Sequence, residues 1–111
     1  MEAAFKRGLE EIRAGHYFAA HEKLEEAWRA APAEERDFFQ GLVHVAVGWY
    51  QAGRGRPVAT ARQLEKAARR LAPFAPAHRG VDVAHVLAQV EAARERVAQG
   101  SLDLESPQLT S

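Results

Sequence analysis

Apolar residues recur along this chain with the spacing of helix faces. Phe5, Leu9 and Ile12 stand at i, i+4 and i+7, and Gly15 supplies a left-handed stop, so a first helix is predicted over 2–14. A second is predicted over 17–31, ended by Pro32, and a third over 33–52, with Glu34 and Glu35 at the positive end of its dipole. A loop rich in glycine and arginine, residues 53–57, precedes a fourth helix over 57–71 opened by Pro57. Its stripe is Val58, Ala61, Leu64, Ala68 and Leu71. Pro73, Pro76 and Gly80 break the chain before Asp82, the expected N-cap of a fifth helix carrying Val83, Val86, Leu87, Val90 and Val97. No segment alternates in the manner of a strand.

The pattern therefore predicts an all-α protein, a compact bundle of about five helices built from tetratricopeptide-like hairpins. Gly8, Gly15, Tyr17, Ala20, Ala27 and Pro32 occupy the small and aromatic positions of such a hairpin. Gly48, Gly55, Ala61, Ala68 and Pro73 echo them about forty residues on. Residues 1–99 are expected to form the single domain, and 100–111 a polar C-terminal tail that lies against the bundle.

The second helix carries two stripes. Tyr17, Ala20, Leu24, Ala27 and Ala31 make an ordinary packing face, whereas Phe18, His21, Glu25 and Trp28 make another at helical spacing. Two aromatics bracketing an imidazole and a carboxylate imply cover on both sides, with His21 and Glu25 partly buried. One reading is a structural pair that fixes the second helix against the third. The other is a functional site. On the third helix Asp37, Gln40 and His44 share a stripe, so antiparallel packing would bring His21, Glu25, Gln40 and His44 together. Such a set would hold zinc or iron, with His21, Glu25 and His44 as ligands. The segment His-Glu-Lys-Leu-Glu, however, lacks the second histidine of the zinc-protease motif. No cofactor is expected, and a divalent metal is the one ion chemistry this set suggests.

Composition narrows the field. Among 111 residues there is no cysteine, which removes thiol chemistry and disulfides and fits a cytoplasmic protein. The longest apolar run, residues 41–50, is half a membrane span, so no membrane partner is expected. Net charge is zero but uneven: residues 54–79 hold seven bases and one acid. The neutral total argues against a dedicated nucleic-acid binder. Arg62, Lys66, Arg69 and Arg70 nevertheless make a basic face on the fourth helix that would attract an anion, with Arg54 and Arg56 nearby. No aromatic residue interleaves with it for base stacking. His16 and His78 are expected at the surface, and His85 beside Asp82 in a structural hydrogen bond.

Taken together, Gly15-x-Tyr17-Phe18-x-x-His21-Glu22-x-Leu24-Glu25-x-x-Trp28, followed by Arg36-x-Phe38-Phe39-Gln40-Gly41-Leu42-Val43, resemble the signature of a small bacterial family called domain of unknown function 309. The resemblance covers roughly residues 5–71. It implies an all-helical fold and no established activity, with His21, Glu22, Glu25, Trp28, Gln40 and Gly41 as the matching motif positions. Two departures stand out. His44 occupies a place where the family more often has glutamine, and Gln51 and Ala52 follow Tyr50 where a histidine is common. The expectation is a helical module that binds a protein or peptide partner, with self-association left open. The alternative is a metal- or ligand-binding site, with hydrolysis as its candidate chemistry, at His21, Glu25, Gln40 and His44.

Overall fold

Each helix packs chiefly on the next in sequence. The computed structural model describes residues 1–110 and contains α1 (Glu2–Arg13), α2 (Tyr17–Ala30), α3 (Arg36–Gly53), α4 (Pro57–Leu71) and α5 (Val83–Ala98). No strand occurs among the described residues; His78 and Val81 form one isolated antiparallel bridge. The third helix begins later than its pattern implies. Ala33–Glu35 form a 3-10 turn, and regular α-helix starts at Arg36. Tighter 3-10 geometry is common at helix starts, where the first amide groups lack intrahelical partners.

Two glycine turns close the hairpins. Gly15 (φ 79°) and Gly55 (φ 72°) adopt the left-handed conformation that glycine tolerates without steric penalty. The hairpins share more than their turns. A Cβ on Gly8 would lie 2.7 Å from Leu24 of the facing helix, and one on Gly48 would lie 2.9 Å from Leu64. Both members of the contact shift by forty residues, so the sequence echo is a repeated helix–helix contact. Gly41 extends the α3–α4 seam, where an added Cβ would meet Leu71 at 2.6 Å.

The core runs the length of the bundle. Phe5 of α1 packs edge-on against Phe38 and Phe39 at the start of α3, with ring centroids 6.0 and 5.3 Å apart. Leu42, Ala46 and Trp49 continue that buried side of α3, while Val83, Val86 and Val90 bring in α5. Asp82 caps α5 by accepting from the amide of His85, 3.1 Å away. Beyond Ala98 the chain turns and runs extended over α1, α3 and α5. It is less polar in its contacts than in its composition, because Pro107 and Leu109 are buried.

Candidate functional site

The second stripe of α2 lies against α3. The His21 Nδ1–H donates to the carbonyl oxygen of Phe18 (3.0 Å), and Nε2 lies 3.2 Å from Glu25 Oε1. Both ring nitrogens are thus engaged within α2 itself. The side chains of His21 and Glu25 are 22% and 39% exposed, which bears out partial burial for the imidazole and less cover for the acid. Glu25 is also approached by Arg29 at 3.7 Å. Phe18 is not enclosed as the sequence suggests. It is 51% exposed and makes tilted ring contacts with His21 (5.1 Å between centroids) and with Tyr50 of α3 (5.3 Å). About half of the side chain is left to solvent.

Beside these rings is a cavity of about 170 Å³ lined by Phe18, His21, Val47, Tyr50 and Gln51. Gln51 Oε1 is buried without a hydrogen-bond partner among the protein groups.

His44 looks the other way. Its Nδ1 lies 2.7 Å from Gln63 Oε1 on α4, and the residue is only 8% exposed. Burial lowers its pKa from the ordinary histidine value, and the positive charges of Arg70, Lys66 and Arg69 push in the same direction against the Gln63 hydrogen bond. The expected convergence of His21, Glu25, Gln40 and His44 is therefore not what the packing produces. His21 and Glu25 pair on α2, and His44 is bound to α4. Gln40 has a buried Oε1 with no partner. Among the described residues, no three His, Cys, Asp or Glu side chains stand close enough to hold a metal ion.

Other motif residues serve packing. Leu24 fills the space over Gly8, and Gly41 admits Leu71. Trp28 carries the Arg36 guanidinium 4.8 Å above its ring, joining the end of α2 to the start of α3. Glu22 is exposed. On α4, Arg70 is held by Asp37 (2.7 Å) and Arg69 lies 3.5 Å from Glu65, so two of the four residues of the basic face have carboxylate partners. Arg62 is exposed and Lys66 half-buried. His16 is exposed at the N-cap of α2, and the His85 ring is exposed while its backbone amide makes the hydrogen bond to Asp82.

The sequence expectation for His78 needs correction. Its ring packs on Phe38 (4.6 Å) and Phe74 (5.0 Å), and Nε2 meets Glu35 at 2.8 Å. Glu35 also takes a bidentate pair of hydrogen bonds from Arg79, which reaches Glu2 as well. The Arg79 hydrogen bond is the main reason that Glu35 is pulled down to about 2, assisted by His78 and opposed by partial burial. The cluster pins the 75–81 loop to α1 and to the start of α3. Its members are 33 or more residues apart from one another in sequence, except neighbours His78 and Arg79, so no local pattern announces it.

The architecture defines a small domain of helical hairpins in which the signature residues Leu24, Trp28 and Gly41 pack helix against helix. The chain belongs to the family described as Domain of unknown function (DUF309), whose model matches residues 5–63. That span runs from α1 through the first half of α4 and takes in His21, Glu22, Glu25, Trp28, Gln40 and His44. No curated protein and no solved structure matches the chain.

Proposed function

We propose that this protein is a non-catalytic interaction module, of tetratricopeptide-like build, that docks a protein partner on the side of α2 and α3 marked by Phe18. One observation carries the reading: a half-exposed phenylalanine stands at a cavity it shares with His21, Val47, Tyr50 and Gln51. An aromatic anchor beside a mostly apolar pocket is the chemistry of an interface hot spot. The His21–Glu25 pair is structural in this reading, because it holds the imidazole that Phe18 packs against. A cytoplasmic setting belongs to the same proposal and fits a chain without cysteine.

Phe18→Asp tests the proposal. The substitution falls on an exposed ring, so the melting temperature is expected to stay within a few degrees of wild type. A partner retained by the immobilised wild-type protein should be lost. Retention of the same partner by both proteins would refute the Phe18 surface. Elemental analysis addresses the ligand-site alternative at His21, Glu25, Gln40 and His44. Metal near one equivalent that falls in His21→Ala would move the assignment there.

A further inference from the structure

The C-terminal segment is bound to the helices in the way a foreign peptide is bound. Between Asp103 and Leu109 the hydrogen bonds that α3, α5 and its N-cap make to the segment all go to its main chain. The Trp49 indole N–H donates to the Glu105 carbonyl (2.8 Å), and Arg96 Nε donates to that of Asp103 (2.8 Å). The Gln89 amide takes both sides of Gln108, donating to its carbonyl (2.7 Å) and accepting from its N–H (2.8 Å). The Asp82 N–H donates to the Leu109 carbonyl (2.9 Å). A side-chain amide here does what a neighbouring β-strand does in strand addition. Specificity then falls to apolar side chains. Leu109 is 5% exposed, Pro107 is buried and Leu104 packs on the core, whereas Glu105, Ser106 and Gln108 face outward. The spacing read by the groove is Leu-x-x-Pro-x-Leu.

We infer that the face of α1, α3 and α5 is a peptide-binding groove, occupied here in cis by the tail, and that it accepts an extended Leu-x-x-Pro-x-Leu segment of a partner protein in its place. Main-chain bonds to Trp49, Gln89 and Asp82 are available to any extended segment. The apolar sites select proline and leucine at the observed spacing. The chain turns at Gly100 (φ 90°) before entering the groove, which gives a point from which the tail can leave without disturbing α5. The cavity of Phe18, His21, Val47, Tyr50 and Gln51 shares no lining residue with this groove, although Trp49 also lines a neighbouring cleft with Phe18; the test below reads Leu109 and Gln89 and not Phe18, so the two proposals fail separately.

The test uses the 111-residue chain carrying Leu109→Asp, which weakens the tail and leaves the groove side intact. The probe is a fluorescently labelled synthetic peptide with the sequence of residues 101–110. Because the competent open state is a small fraction of the wild-type population, the peptide should bind Leu109→Asp about tenfold or more tightly than wild type. Adding Gln89→Ala to that variant should weaken binding, and a peptide itself carrying Leu109→Asp should not bind. Equal binding to wild type and variant, or none to a folded variant, would overturn the inference. Hydrogen exchange on the wild-type protein decides the matter if the variant does not fold. The Gln108 amide should exchange well ahead of the amides of α3, by release of the tail alone. Exchange of both only through global unfolding would make the tail a permanent part of the fold and reject the groove.

Discussion

At the residue scale, the most consequential charged group is Glu35, which gathers Arg79 and His78 against the phenylalanines of the core. Its folded pKa, about 2, lies below the ordinary value of 4.5. The unfolded chain therefore binds the proton first as pH falls. The stability that Glu35 contributes is fully present above pH 4.5 and is lost as pH drops toward about 2. Glu35→Gln should cost about 1–3 kcal/mol at neutral pH, the scale of hydrogen bonds to charged groups. It should also flatten the acid limb of a plot of urea midpoint against pH. An unchanged acid limb would mean that the cluster contributes nothing to acid stability. His44 acts with the same sign from a different cause. Burial favours its neutral form, so its contribution is present above pH 6.5 and erodes below that value.

At the element scale, closeness of helices is decided by glycine. A Cβ at Gly41 would sit 2.6 Å from Leu71 Cγ, inside the distance real Cβ atoms keep. Alanine would gain roughly 1 kcal/mol in helix propensity, but the clash in a packed seam costs about 1–3 kcal/mol. Gly41→Ala should therefore be neutral to destabilising by about 2 kcal/mol. Gly53→Ala, with nothing within 4 Å of the added atom, should be neutral to stabilising. Denaturant midpoints for the pair check this, and a stabilised Gly41→Ala would show that α4 has room to retreat. The echo of Gly8 at Gly48 was legible in the sequence as a second hairpin; that Gly41 admits Leu71 was not. Likewise the stripe of His21 and Glu25 was legible, while the direction of His44 was not. Spacing along one helix says which residues share a face. It does not say which neighbour covers that face.

For the whole molecule, α3 belongs to both seams, meeting α2 on one side and α4 on the other. The two hairpins should therefore unfold together. Leu24→Ala and Leu64→Ala, which vacate equivalent positions over Gly8 and Gly48, should each cost about 2–5 kcal/mol and lower the same cooperative transition. Tryptophan fluorescence and circular dichroism should report coincident midpoints in both variants. Separate transitions would mean that the hairpins are independent units. Helix periodicity, the turn glycines and the proline breaks are local chemistry, acting through backbone conformation and side-chain burial within a few residues. By themselves they determined the number, order and nearly all the boundaries of the helices, as well as the family signature. The tertiary structure alone decided that His44 turns to α4, that Glu35 recruits Arg79 and that the tail is clasped by Gln89. Each of those depends on groups distant in sequence meeting in space, and a one-dimensional pattern carries no record of which distant partner will arrive.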